Sequence, residues 1–303
     1  MRRIVEMDQE LKKSVLDTDL LILSNYFCSK KDPQRDIYQT NGDFNYISNW
    51  YYSVIENGIL AIIFHDGLKK EFIQKYQKNN IKFVKCDLGE YSLNDERFFV
   101  FEEFLNYIPS KTFVLTTDIN DVIINKTPLA LFKENPDKIF IGRGDKLTWG
   151  RGIWTLGKMK EFYNNSNSKI DSDILCFPVF NAGLIGGQAG NLLKLFGKMI
   201  QEFSYLPSRG NFNMAVLNYV LYTEYYPKRN YFFSLLSFNF CYRLNKSLNN
   251  GRLRFFGGFY KKDLEKKENG ICSNKKIYSG FPFNSMFRKF EIKGKSESYL
   301  IHK

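Results

Sequence analysis

Phe113-Val114-Leu115-Thr116-Thr117-Asp118-Ile119-Asn120-Asp121-Val122-Ile123-Ile124 is the stretch on which the reading of this chain turns. Thr112 to Thr117 is almost wholly apolar and β-prone, the pattern of a strand buried on both faces of a parallel sheet. It ends in two carboxylates, Asp118 and Asp121, and apolar sequence resumes at once. A carboxylate at the end of a buried strand is costly to desolvate unless a cation or hydrogen-bond donors meet it. Its hard oxygens suit Mg²⁺ or Mn²⁺, which take one or two carboxylates together with substrate phosphates. The same spacing also fits an Asx turn followed by a capping Asp, and spacing alone does not separate the two.

Working outward, strand-like and helical patterns alternate. Asp19 to Ser24 reads as a first strand, Leu60 to Phe64 as a second and Ile81 to Cys86 as a third. Helical spacing runs from Tyr46 to Asn57, closing on Gly58 as a C-cap, from Lys69 to Asn79, and from Asn94 to Tyr107 with Asn94 or Asp95 as N-cap. This alternation predicts βαβ units and an α/β fold with a mostly parallel, doubly wound sheet flanked by helices. Ligands in such sheets bind beyond the carboxyl ends of the strands, here the loops after Ser24, Phe64 and Thr117. Later in the chain, Lys138 to Gly142, Phe177 to Ile185 and Phe232 to Tyr242 read as strands. Asn191 to Phe203 and Phe212 to Tyr222 read as helices. Gly144 to Asp173 is polar, holds Trp149 and Trp154, and reads as a mobile lid whose aromatic faces suit sugar rings.

The chain has 303 residues, 44% of them hydrophobic and 17% aromatic, enough for one sizeable core and too apolar for disorder. No apolar stretch is long enough for a membrane span, and Met1 to Leu20 is charged, so a cytoplasmic location is expected. Five scattered cysteines form no Cys-x-x-Cys pair, which argues against structural zinc and a disulfide framework. The net charge is +12, and most of it lies late: Arg243 to Lys303 carries 15 Lys and Arg against 5 Asp and Glu. Residues 1–242 are thus expected to form the main domain and 243–303 a basic extension. Such a segment suits a polyanion or a membrane surface, and equally a solvated face.

Three further features accompany the acidic motif. Arg97 stands near the start of the helix before it, where it could reach carboxylates or phosphate at the strand ends. Phe180-Asn181-Ala182-Gly183-Leu184-Ile185-Gly186-Gly187 places a polar amide among small residues and closes on a glycine pair. Small residues there let a sugar approach the backbone. The third is the helix with Asn213, Leu217 and Asn218. In this order the pieces resemble the family 8 glycosyltransferases and related GT-A enzymes of polysaccharide synthesis. Those have an Arg-bearing helix, a strand ending in Asp-x-Asp, a strand with Asn-(Ser/Ala)-Gly and a helix with Asp-Gln-x-x-x-Asn.

The resemblance spans roughly Asp19 to Asn218. It implies a GT-A, Rossmann-like fold, a nucleotide-diphosphate sugar donor with UDP favoured, a divalent Mn²⁺ or Mg²⁺ ion, and a glycan or lipid-linked acceptor. It puts Asp118 and Asp121 on the metal and gives Arg97, Asn181, Ala182, Gly183 and Asn213 to the donor. Three departures are visible. The acidic motif is one residue longer, Asn213 stands where the family has an acid, and no His-x-x-Gly-x-x-Lys-Pro-Trp segment supplies a third ligand. His302 is the only late histidine and the candidate for that place; Lys276, Arg288 and Lys289 could meet the diphosphate. The loop Ser29 to Arg35 corresponds to the one that cradles the base, with Asp32 and Arg35 as candidates, and Asp145 could face an acceptor. His65-Asp66 reads as a turn. A nucleotidyltransferase would need a Gly-rich loop after the first strand, and Cys28 to Arg35 has none. A nucleic-acid-binding protein would leave the acidic motif unexplained. A GT-A domain that only binds glycan stays open as an alternative.

Overall fold

The computed structural model describes residues 3–4, 7–143, 153–166, 174, 179–225, 276–280, 282–286 and 297–302. Its centre is a seven-stranded sheet. The strands β1 (Leu20–Tyr26), β4 (Leu60–His65), β5 (Ile81–Lys85) and β6 (Phe113–Thr117) form one parallel half, in the order β6-β1-β4-β5. On the other side of β6 lie β9 (Phe180–Gln188), β8 (Ile139–Arg143) and β10 (Ile277–Ser279). Strand β9 is antiparallel to both β6 and β8, and β10 is parallel to β8, so β9 alone runs against the rest. The α/β class and the mostly parallel sheet flanked by helices are as the sequence predicts.

Alternation along each strand makes two cores. Leu21 and Leu23 of β1, Ile62 and Phe64 of β4 and Val114 of β6 face one way. There α4 (Leu93–Leu105), α7 (Ala189–Phe203) and α8 (Asn213–Val220) cover them with Phe98, Phe101, Phe196 and Leu217. Leu20 and Ile22, Ala61 and Ile63, and Phe113 and Leu115 face the other way, under α2 (Ser48–Glu56), α3 (Lys70–Tyr76) and α5 (Leu129–Glu134). A second, three-stranded sheet lies on this side. It joins β7 (Val122–Ile124), β12 (Leu300–His302) and β11 (Asn284–Met286), with β12 in the middle, antiparallel to β7 and parallel to β11.

The structure corrects several expectations. The cap of α4 is Ser92, whose hydroxyl accepts from the Asp95 amide, rather than Asn94 or Asp95. The Gly186-Gly187 pair does not end its strand: β9 continues to Gln188, and the missing side chain at Gly186 admits Phe132, whose ring atom would stand 2.6 Å from a Cβ there. The third helix stops at Tyr76, because Lys78 turns back to bond with Ile81. The excursion from Gly144 to Asp173 contains a helix, α6 (Ile153–Asn165), with Met159 and Phe162 buried in the core. Trp149, the strand expected over Phe232 to Tyr242 and most of residues 243–303 lie outside the described residues. The sequence reading missed α1 (Gln9–Leu16), α5, the short strands β7 and β10 to β12, and a hairpin of β2 (Lys31–Asp32) and β3 (Ile37–Tyr38).

Candidate metal centre at the strand ends

The end of β6 is held from two sides before it reaches Asp118. Ser24 on β1 donates its hydroxyl to the Thr117 carbonyl (2.7 Å), and the buried Trp50 of α2 donates its indole N–H to the Thr117 hydroxyl (2.7 Å). Asp118 itself donates its amide to the Gly183 carbonyl on β9 (2.9 Å). Between the two aspartates Ile119 turns inward, 3% exposed, into the core beside Leu115 and Val122. Ile119 therefore anchors the loop from below, while Asp118 and Asp121 keep about a quarter of their side-chain surface exposed.

His302 reaches the same place from β12. Pairing across the small sheet sets His302 opposite Val122, next in sequence to Asp121. Its Nε2 lies 3.5 Å from Asp121 Oδ1 and 4.0 Å from Asp118 Oδ2. One donor atom from each of the three residues lies within 4.8 Å of the others. The imidazole is 3% exposed, the two carboxylates about a quarter. Burial disfavours a charged imidazole, but the neighbouring Asp121 carboxylate, with Asp118 behind it, outweighs that and holds His302 above its ordinary pKa.

Arg97, in the first turns of α4, closes the other flank. Its guanidinium pairs with Asp118 Oδ1 and donates to the Ala182 carbonyl (3.2 Å), with the Phe98 ring 5.0 Å beneath. Gly183 stands between these groups. A Cβ there would lie 2.3 Å from Asp118 Oδ2 and 3.0 Å from His302 Cε1, so the carboxylate occupies the space a side chain would need.

The cluster fits a hard divalent cation. Asp121 Oδ1 is buried without a hydrogen bond among the described residues, His302 Nε2 standing 3.5 Å away, so a cation seated between the two would satisfy both. Ligands 2.0–2.1 Å from an octahedral ion stand roughly 3 Å apart, so the donor atoms need to close by only about 1 to 2 Å. The two carboxylates suit Mn²⁺ or Mg²⁺, while the imidazole is the donor of the set better suited to a transition ion than to Mg²⁺.

The other expected site residues fall at varying distances from this centre. Asn181 lies on β9 two residues before Gly183, its side-chain oxygen accepting the Gly183 amide (2.7 Å). Asn213 is 4% exposed, and its amide donates to Asn211 Oδ1 (2.8 Å). Asn218 makes three bonds, accepting from Phe180 N and donating to Phe180 O and Met214 O, each 2.8 Å, which fixes the start of β9 against α8. Asp32 and Arg35 sit on the β2–β3 hairpin, 3.5 Å apart. His65 and Asp66 make a turn. The His65 ring accepts from Leu68 N (3.3 Å) with its pKa lowered to about 4 by burial, and Asp66 accepts the Cys28 and Ser29 amides (2.8 and 3.0 Å), pinning the loop after β1. Lys276 stands just ahead of β10 and donates to the Glu224 carbonyl (3.3 Å). Asp145, Arg288 and Lys289 lie outside the described residues.

Sequence reasoning missed Tyr46, at the entrance to α2. Burial raises its pKa, and the charges it feels are those of Asp118, Arg35, Asp121 and Asp32, so it is near enough to both the carboxylates and the hairpin to sense them. Its ring stands 5.1 Å from that of Tyr26 at the end of β1. Among 19 tyrosines nothing in the sequence marked this one, since only the βα connection brings it to the strand ends.

No protein-family model matches the chain, and no curated protein is detectably similar to it in sequence. Among solved structures, an active-site mutant of LgtC is similar over 65% of this chain and 69% of its own, with 14% identity and a TM-score of 0.43. The galactosyltransferase LgtC in complex with donor and acceptor sugar analogues gives the same coverages and identity at a TM-score of 0.41. The apo-form glycosyltransferase GlyE of Streptococcus pneumoniae TIGR4 is similar over 68% of this chain and 44% of its own, with 12% identity and a TM-score of 0.40. Among the described residues, no helix is long and apolar enough to cross a membrane.

Proposed function

We propose that this chain is a metal-assisted glycosyltransferase of the GT-A type, moving a sugar from a nucleotide-diphosphate donor, UDP-linked by preference, to a glycan or lipid-linked acceptor. The observation that carries the proposal is the meeting of Asp118, Asp121 and His302, within 4.8 Å, at the carboxyl end of a buried parallel strand. Ligands of open α/β sheets bind there, and the motif order of the sequence agrees. A bound Mn²⁺ or Mg²⁺ would neutralise charge developing on the departing diphosphate.

The chain's own residues do the rest. Asp118, Asp121 and His302 hold the ion, and Arg97 fixes the Asp118 carboxylate by occupying one of its oxygens. Ala182 and Gly183 are buried and serve the centre itself, Ala182 by accepting from Arg97 through its carbonyl and Gly183 by the room it leaves the Asp118 carboxylate. Tyr46 offers an aromatic face to the base or ribose, with Asp32 and Arg35 beyond it. The basic segment 243–303 would serve the diphosphate or an anionic acceptor at a membrane face.

Thermal-shift titration with nucleoside diphosphates, with and without Mn²⁺, tests the donor site. Bound ligand stabilises the fold by mass action, by about 2.7 kcal/mol at 100 times the dissociation constant, and so raises the melting temperature. UDP with Mn²⁺ is expected to stabilise where neither alone does so fully. Donor hydrolysis or transfer should stop in EDTA and return with Mn²⁺ or Mg²⁺. Full activity in EDTA overturns the metal role.

A further inference from the structure

The third ligand of the centre does not come from the Asp118–Asp121 loop or from the main sheet. It comes from β12, a three-residue strand whose neighbours are both short. A strand that short contributes little intrinsic stability and is held by what surrounds it. Asn125 donates its backbone amide to Tyr299 O (2.9 Å) and its side-chain amide to Ser298 O (2.8 Å). Tyr299 donates to Pro282 O (2.8 Å) and Leu300 to Phe283 O (3.0 Å), tying the strand to β11. Leu300 is fully buried in the core with Phe283, Val122 and Ile124. Against these stands His302, 2% exposed, which brings an imidazole to two carboxylates and leaves its Nδ1 without a partner among the described residues.

We infer that docking of β12 and binding of the divalent ion are two sides of one equilibrium, with Leu300 and Asn125 as positioning residues for the metal. This rests on the metal reading of the site. The undocked strand leaves the ion with Asp118 and Asp121 alone, so the ion binds the docked state more tightly. By linkage, it must then hold the strand down by the same factor that docking improves its own binding. The ion is thus a clasp between the β6–β7 loop and the small sheet, as well as the partner of a diphosphate.

Hydrogen exchange of the amides of residues 298–302, read on the whole protein with and without Mn²⁺ and no nucleotide, tests this beside a direct Mn²⁺ titration by electron paramagnetic resonance. At 100 times the dissociation constant, exchange through local opening of β12 should slow by up to roughly 100-fold, while β5 at the far edge of the main sheet is unchanged. Leu300→Ala and Asn125→Ala, neither of them a ligand, should weaken Mn²⁺ binding about tenfold by lowering the docked fraction, and Leu300→Ile should restore it. Leu195→Ala, in the core on the opposite face of the sheet, should not change Mn²⁺ affinity. No Mn²⁺ binding by the wild-type protein sinks the metal reading itself. If Mn²⁺ binds but residues 298–302 exchange at the same rate, the linkage alone is overturned. Wild-type Mn²⁺ affinity in a variant whose exchange at residues 298–302 shows β12 largely undocked without the ion overturns it equally. The exchange experiment needs no variant, so poor folding of Leu300→Ala leaves the inference open to refutation.

Discussion

Gly183→Ala is the smallest change that should disable the centre while leaving every ligand in the sequence. The new methyl carbon would stand 2.3 Å from Asp118 Oδ2, 2.8 Å from Asp118 Cγ and 3.0 Å from His302 Cε1. Non-bonded carbon and oxygen atoms settle at about 3.5 Å, so the carboxylate must retreat by roughly 1 Å or turn out. Overpacking a rigid core costs about 1–3 kcal/mol, but Asp118 is 26% exposed and can swing toward solvent. Most of the strain is therefore relieved by giving up the pair with Arg97 and the approach to His302. The expected stability loss is about 1 kcal/mol or less, at the low end of that range. Misplacing a ligand shell costs roughly 10- to 100-fold in metal affinity, and a shift of about 1 Å at a reacting centre costs about 10²-fold in rate. The assays are a urea melt, a Mn²⁺ titration and turnover with a UDP-sugar. Gly197→Ala is the control: a Cβ on that helical residue meets nothing within 4 Å, and the change should stabilise by up to about 1 kcal/mol. Wild-type Mn²⁺ affinity in Gly183→Ala would refute the claim that Asp118 needs this space, and with it the geometry of the site.

Two other expectations concern α4. Arg97→Lys keeps the charge but cannot reach both Asp118 and the Ala182 carbonyl as a planar fork does. Turnover should fall about 10²-fold with the fold intact, and a near-wild-type rate would move Arg97 out of the site. Asp95 is 1% exposed and accepts the Phe212 amide at the start of α8 (3.1 Å). Burial raises its pKa from 3.8 to about 7 despite bonds from Ser92, Phe212 and Asn213 and the charge of Arg97. The folded state then holds a proton the unfolded state has released, so this group's contribution to stability should be full below pH 3.8 and fall as pH rises toward 7, by at most about 1.4 kcal/mol per pH unit. Asp95→Asn keeps an acceptor for Phe212 and should flatten that part of the profile in urea melts from about pH 4 to pH 8, the span over which the acid titrates; an unchanged slope would show that the acid does not titrate there.

What could be read from the sequence follows from how local each signal is. β1, β4, β5 and β6 announce themselves because strands buried on both faces need continuous apolar, β-branched runs. Arg97 stands near the start of a helix and Asp118 just past the strand that follows it, so one αβ unit brings them together. His302 is different: its approach to Asp121 depends on pairing between two three-residue strands far apart in the chain, and no periodicity marks so short an element. The cap of α4 was legible in Ser92-Leu93-Asn94-Asp95, which has the Ser-x-x-acid spacing of a capping box, but the richer run of cap-forming residues after it drew the boundary late. Asn213 shows another limit: its residue type drew the reading, and its bond to Asn211, two residues away, is visible only in the structure. The glycine pair read as a strand end because glycine is a turn signal; what it supplies at Gly186 is room for Phe132, which sequence alone does not show.

The amide of Asn218 impersonates a neighbouring strand, offering Phe180 a carbonyl and an N–H at once. Few side chains can do this. Asp loses the donor and sets a charge against two carbonyls, Gln carries its amide one carbon too far, and Ser or Thr has a single oxygen to divide between both tasks. The position is therefore closed to ordinary substitution drift for a reason independent of any ion or sugar. Two such chains could diverge until little of their surface or tail remained alike and still share this one asparagine, kept by the demand for a main-chain partner.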